Sequence, residues 1–332
     1  MNSTIQSRRV PRWAGGKHGR KQPANPPTSQ SGAQAAGQPA NPPEFTWWEG
    51  GALGTLDTPD GRVAYRFWDE ARHAPKTLIG IHGFGGNSDN FIALGEALKP
   101  HIAVYAIELH GNGLSGQPGD VNDRAVHFRN LDALLAWVQA RHPNAQRYVA
   151  GYSLGVAYAA LWAAQADRSA DFSGLILFAP PYRNILTPPP HMRAVFNLWT
   201  RLMPTFRLKM NVLPDEGTYS RYAFAMRDRH FIRRRTLRSL KVSMDIVTES
   251  KSALPYVTLP TLIVHGDADP IARPGGARIA HYRLGATDKT LHWVPGAQHD
   301  LYDVLSGFKC SDVNDAQRAL VIEPVCKWLE SH

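Results

Sequence analysis

Tyr148-Val149-Ala150-Gly151-Tyr152-Ser153-Leu154-Gly155 is an apolar run that closes on Gly-x-Ser-x-Gly, and an Ala-rich run from Val156 to Ala166 follows it. The pattern reads as a strand, a sharp turn and a helix, with Ser153 at the turn. Both glycines have a physical reason. So tight a turn forces the serine into strained backbone angles, and side chains at 151 and 155 would collide with strand and helix. The Ser153 hydroxyl then stands clear of the sheet, at the positive end of the following helix. A pentapeptide of this kind also arises by chance. Its meaning rests on three further segments: a loop of backbone donors before it, then an acid and a histidine after it.

All three are present in that order. Thr77 to Ile81 reads as a buried strand that runs into His82-Gly83-Phe84-Gly85-Gly86. Glycines there let a substrate approach backbone N–H groups, and two such donors can stabilise an oxygen that becomes negative. The N–H of Leu154 and that of Phe84 are the expected pair, with His82 supporting the loop. Thr261 to His265, another strand, leads into His265-Gly266-Asp267-Ala268-Asp269-Pro270. A carboxylate at a strand's end can orient an imidazole. Asp269 is favoured for that, and Asp267 is expected to shape the turn. The strand Thr290 to Val294 is followed by Pro295-Gly296-Ala297-Gln298-His299-Asp300. Among 14 histidines, His299 is singled out by place: it follows both the acid and the last strand, whereas His281 falls in a helix and His292 in a strand.

Around these segments, strands are expected at Arg62–Trp68, His101–Ile107 and Gly174–Ala179. Helices are expected from about Ser88 to Leu98, from Val126 to Ala140, and from Val313 to Leu329 with Pro324 inside. Strands that alternate with helices imply a mostly parallel sheet covered on both faces.

The ordered set resembles the α/β-hydrolases, and within them the branch of monoacylglycerol lipases and lysophospholipases that also includes serine aminopeptidases. The resemblance covers about residues 60–330. It is carried by His82-Gly83-Phe84-Gly85-Gly86, Gly151-Tyr152-Ser153-Leu154-Gly155, Gly266 with Asp269, and Gly296-Ala297-Gln298-His299. It implies an α/β-hydrolase fold with a helical cap insertion, and a catalytic triad of Ser153, Asp269 and His299. Ser153 argues against the haloalkane dehalogenase and epoxide hydrolase branches, which use aspartate there. One segment departs from the family's Asp-x-Arg-Gly-x-Gly-x-Ser: here it is Glu108-Leu109-His110-Gly111-Asn112-Gly113-Leu114-Ser115. The turn glycines stay, while the acid and the arginine are replaced.

Four stretches follow: a basic Pro/Gly/Ala/Gln-rich tail at 1–44, expected to be disordered; core at 45–180; an insertion at 181–255; and core again at 256–332. The net charge of +9 sits in the first and third. Residues 1–43 carry six Lys/Arg and no acid, and residues 181–250 carry thirteen Lys/Arg against five Asp/Glu. In the insertion, Met192, Phe196 and Trp199 recur at helical spacing. With Tyr152 they are the candidate substrate contacts; simple packing of the cap on the core is the alternative. Arg233-Arg234-Arg235 with Arg238 and Lys241 reads as a solvated face, or as a patch for an anionic lipid surface.

The expected activity is hydrolysis of a carboxylic ester, a small molecule or a lipid of the monoacylglycerol or lysophospholipid type. Peptidase, amidase and acyltransferase readings stay open, as does a non-catalytic binding protein. No metal or organic cofactor is implied. The partners expected are the ester substrate and, through the basic patch, peripheral contact with an anionic membrane, not nucleic acid. No run of eighteen apolar residues and no secretory h-region occurs, and only Cys310 and Cys326 are present. A cytoplasmic protein, peripheral at a membrane surface, with free thiols is the expectation.

Overall fold

The computed structural model describes residues 44–69, 74–165, 168, 170–184, 189–209 and 228–332. The expectation of a disordered tail falls on residues 1–43 and lies outside them, as do 210–227 of the insertion.

Eight strands form the central sheet. In chain order they are β2 (Ala52–Thr58), β3 (Gly61–Trp68), β4 (Lys76–Ile81), β5 (Ile102–Ile107), β6 (Gln146–Tyr152), β7 (Gly174–Phe178), β10 (Thr261–Gly266) and β11 (Lys289–Val294). Across the sheet the order is β11-β10-β7-β6-β4-β5-β3-β2. From β5 to β11 every pairing is parallel; β3 joins β5, and β2 joins β3, antiparallel. The continuous apolar runs explain the middle of the sheet. β5, β7 and β10 are buried along their whole length, as strands must be when helices cover both faces.

Those helices are α1 (Ile92–Leu98), α2 (Ala125–Arg141), α3 (Leu154–Ala163), α6 (Gly275–Arg283) and α7 (Asp315–Ser331). α3 is apolar all round because it is enclosed: eight of its ten residues are buried. Asn314 caps α7 reciprocally with Gln317, which fixes its start, and Pro324 lies inside it. Between β7 and β10 come α4 (Pro190–Leu202), β8 (Arg207–Lys209) paired antiparallel with β9 (Arg234–Thr236), and α5 (Leu237–Ala253). α5 packs on α3, the helix that begins at Ser153, so this segment lies beside the carboxyl ends of the strands.

The strands and helices expected from the apolar runs are present; β2 and α5 lie outside those expectations. The sequence reading did not foresee the pairing of β8 with β9 or that of β1 (Phe45–Trp47) with β12 (Phe308–Cys310). Strands of three residues carry too few side chains to show a period. Cys310 is buried, Cys326 is half-buried, and among the described residues no disulfide joins them.

Candidate active site

The chain turns sharply between β6 and α3. Ser153 sits there at φ 51° and ψ −115°, a strained conformation for a side-chain-bearing residue. A Cβ on Gly155 would lie 2.0 Å from the Ile81 carbonyl oxygen, and one on Gly151 would lie 2.6 Å from the Gly155 backbone. Both positions therefore require glycine, and the strain falls on the serine between them. The Ser153 N–H donates to the Phe178 carbonyl at 2.9 Å, which ties the turn to β7.

Ser153, Asp269 and His299 meet although each comes from a different loop. His299 Nδ1 lies 2.7 Å from Asp269 Oδ2, and His299 Nε2 lies 3.0 Å from Ser153 Oγ. A carboxylate only accepts, so Nδ1 carries the proton and Nε2 is the acceptor for the serine hydroxyl. The other oxygen of Asp269 accepts the N–H groups of Ile271 and Ala272, at 2.8 and 2.9 Å. Asp267 accepts the Gly296 N–H at 2.7 Å and so joins the acid loop to the histidine loop.

The histidine loop is itself unusual. Leu301, Tyr302 and Asp303 have φ of 48°, 55° and 69°, three successive left-handed residues without a glycine. Such a turn costs on the order of 1–2 kcal/mol per residue. It is held by the Asp303 carboxylate, which accepts from the Cys310 N–H at 2.8 Å and from Arg318 on α7 at 3.1 Å. Trp48 Nε1 donates to the Asp303 carbonyl, and the Tyr302 hydroxyl donates to the Pro295 carbonyl.

On the other side of Ser153 lies the loop after β4. His82 Nδ1 donates to the Gly83 carbonyl at 2.7 Å, and its Nε2 accepts the Leu109 N–H at 3.1 Å. Burial pushes its pKa down to about 4, so it is neutral and serves the loop. Among the described residues neither the Phe84 N–H nor the Leu154 N–H meets an acceptor. The Glu108 carboxylate accepts from Ser88 Oγ and the Leu114 N–H, at 2.8 and 2.6 Å, and braces the glycine turn where the chain departs from the family's pattern.

A cavity of about 240 Å³ opens beside Ser153. Phe84, Leu154, Phe196, Leu240, Met244, Val247 and Ile271 give it an apolar wall, with Arg193, Ser243 and Thr248 as polar points. Of the expected substrate contacts, Phe196 lines this cavity. Tyr152 is buried, its ring 5.2 Å from that of His299. Met192 and Trp199 do not reach it; they are 55% and 50% exposed. The reason is the orientation of α4. Its half-polar face, Arg193, Phe196, Asn197 and Thr200, turns inward, and Met192, Val195, Leu198, Trp199 and Leu202 face outward.

The basic run also divides. Arg234 is exposed, but Arg235 is 3% exposed, so the cluster is not one solvated face. Arg235 donates to Asn112 Oδ1 and Ser239 Oγ and lies 4.6 Å above the Phe84 ring. Arg238 takes Asp120 with both arms of its guanidinium, and Lys241 pairs with Asp245. Arg238 and the Thr236 hydroxyl hold the Asp120 carboxyl below the usual carboxylate range against the effect of burial. The three adjacent arginines carried no sequence sign of this; the β9 backbone decides which of them points inward.

A Ser, an imidazole and a carboxylate brought together at the carboxyl ends of a mostly parallel sheet define an α/β-hydrolase. The family model of the serine aminopeptidases, S33, matches residues 72–303, and the chain belongs to that family. The monoglyceride lipase of Rattus norvegicus is 28% identical over 261 residues, spanning 75% of this chain and 84% of that protein. The monoacylglycerol lipase of Mycolicibacterium smegmatis is 22% identical over 283 residues, spanning 82% and 94%. The structure of a soluble variant of Saccharomyces cerevisiae monoglyceride lipase, with a substrate analogue, superposes with a TM-score of 0.69 at 20% identity, covering 86% of this chain and 96% of that one.

Proposed function

We propose that the protein is a serine hydrolase of lipid-like carboxylic esters, of the monoacylglycerol or lysophospholipid type. The observation that carries this reading is the hydrogen-bonded series Asp269, His299, Ser153 at the mouth of an apolar cavity. His299 Nε2 removes the proton from Ser153 Oγ as the oxygen attacks the ester carbonyl. The carbonyl oxygen gathers negative charge between the N–H groups of Phe84 and Leu154. Asp269 stabilises the imidazolium, which then protonates the departing alcohol. Water, activated by the same imidazole, releases the acid from the acyl-serine.

The family's aminopeptidase members make peptide cleavage the competing reading. An aminopeptidase must hold a free α-ammonium group, for which a carboxylate is the natural partner. No Asp or Glu lines the cavity among the described residues; its charged group is Arg193. That favours an uncharged acyl chain. The lipid nature of the ester is further supported by α4, whose outward apolar stripe ends beside the exposed Arg201, with the exposed Arg207 following on β8. A stripe of this kind beside cations suits an anionic lipid–water boundary. On this reading the segment 181–255 is a cap that both walls the acyl cavity and meets the lipid.

Labelling with a fluorophosphonate, followed by turnover of a monoacylglycerol and of an aminoacyl amide, tests the proposal. The wild type is expected to label at Ser153 and to prefer the ester, and Ser153→Ala to lose about 10⁴-fold or more in turnover while keeping its fold. Retention of a tenth of the activity by Ser153→Ala would remove the serine from the mechanism.

A further inference from the structure

Behind the loop that presents Phe84 lies a buried cation that meets no counter-charge among the described residues. Arg235 is buried, and among the described residues no carboxylate pairs with it. The adjacent acid, Asp120, is already engaged by Thr236 and Arg238. Its Nη groups reach neutral oxygens, Asn112 Oδ1 and Ser239 Oγ, and its Nε has no partner. A pocket of about 10 Å³, room for a single water, separates it from His82, His127 and Leu154. Burial lowers its pKa to about 10, so the group remains charged at neutral pH. Both histidines facing that pocket, His82 and His127, are neutral there.

The backbone around Arg235 is fastened to the same loop. Asn87 donates to Asp228 at 2.7 Å, the Ile232 N–H donates to the Gly85 carbonyl at 3.1 Å, and the Phe231 ring fills the space a Cβ on Gly85 would need. Residues 228–236 therefore form a strap along residues 84–87, and the guanidinium stacked on Phe84 is its end point. A buried, unanswered charge costs stability. Packing alone gives no reason for one here, since an apolar side chain of the same length would fill the space.

We infer that Arg235 is a positioning residue for the donor loop: it holds the Phe84 turn from behind, through the ring and Asn112, and its charge is answered when the substrate oxygen becomes negative. The cation acts through the loop, not by contact with substrate. This rests on the proposed roles of Ser153, Phe84 and Leu154. The segment between β7 and β10 thus completes the turnover machinery as well as covering it.

The test compares Arg235→Met, Arg235→Lys and Ser239→Asp with wild type on a short uncharged ester, with rates divided by the active sites titrated with fluorophosphonate. Arg235→Met keeps the length and loses the charge; its kcat is expected to fall about tenfold or more with KM within about twofold, because the loss is confined to the transition state. Arg235→Lys restores a charge without the planar fork and should fall between the two. Ser239→Asp covers the case in which Arg235→Met does not fold. A carboxylate at this position, in the first turn of α5, suits the helix and pairs with Arg235. Thermal stability is expected to hold or rise while kcat falls by a similar factor. A purely structural arginine would give the opposite pairing, a lower melting temperature for Arg235→Met with an unchanged kcat per titrated site. That outcome overturns the inference, as does a rise in KM at constant kcat or a Ser239→Asp enzyme as fast as wild type. If wild type itself fails to label, it is the reading of Ser153 that falls.

Discussion

Asp269→Asn separates orientation from packing at the site. In the wild type, Oδ1 accepts two N–H groups, from Ile271 and Ala272, and Oδ2 accepts the proton on His299 Nδ1. An amide has one oxygen. The two backbone donors, at 2.8 and 2.9 Å, claim it, so the NH2 group must face His299. Nδ1 then becomes an acceptor, the ring proton moves to Nε2, and Nε2 points a proton at Ser153 Oγ where it should receive one. The base is present in the wrong tautomer and has no negative partner for its charged form. A loss of about 10⁴ in kcat follows, equivalent to about 5 kcal/mol of transition-state stabilisation. Stability should change little, because every hydrogen bond has a replacement. The assay is steady-state hydrolysis of a short nitrophenyl ester, with a thermal melt of each variant. Asp267→Asn is the control: its amide oxygen can still accept the Gly296 N–H, so turnover should stay within about threefold. A folded Asp269→Asn enzyme within tenfold of wild type, or a more damaged Asp267→Asn, would refute the assignment.

Burial holds the pKa of His82 down to about 4 and that of His127 to about 3, against 6.5 in an unfolded chain. The unfolded state therefore binds more protons below about pH 6.5, and folding stability should fall as the pH drops from there towards 4, by up to ~1.4 kcal/mol per pH unit for each histidine. Burial lowers His110 and His265 in the same direction; urea midpoints at pH 7, 6 and 5 measure the combined slope, and His127→Phe should reduce it, whereas an unchanged slope would mean that His127 contributes nothing. Met244→Trp narrows the apolar cavity; KM for long acyl chains should rise while acetate and butyrate esters are little affected, and equal effects on both would place the chain elsewhere. Val195→Asp with Leu202→Asp puts charge on the outward stripe of α4 and should weaken partition onto vesicles about a hundredfold or more, from roughly 1.5–3 kcal/mol for each of two large side chains withdrawn from water, without altering hydrolysis of a dissolved ester. Arg233→Gln with Arg234→Gln should reduce binding to anionic vesicles, in a manner that fades as salt rises, at about 1 kcal/mol for each charge; Arg235 is left intact because it is buried.

The sheet and the order of the candidate residues were legible because they are written locally. Apolar runs mark the buried strands, and the collision of any side chain at 151 or 155 with β4 or α3 leaves its trace as two glycines. The choice of Asp269 over Asp267 also came from spacing, and the structure brings Asp269 to His299. The spacing of Met192, Phe196 and Trp199 revealed a helix but could not say which of these side chains turn towards the cavity. Orientation is settled by what lies across from a helix, and here Phe196 and Thr200 turn inward. For Arg235 the obstacle was similar. Its surroundings come from residues 82–84, 112 and 127, more than a hundred positions away, and three identical neighbours in sequence do not tell which one is enclosed.

The left-handed turn after His299 has a bearing on the order in which the protein becomes active during synthesis. Its strain is offset by Asp303 meeting Arg318, and by Trp48 reaching the Asp303 carbonyl. One of these partners, Trp48, lies about 250 positions before the turn and the other lies on α7, after it. A chain still attached to the ribosome, with Arg318 inside the exit tunnel, can already have formed the serine turn and the acid loop. His299 then has no reason to stay in place beside Ser153. Hydrolytic competence is therefore acquired last, when α7 docks, and a nascent or truncated chain should remain silent until then.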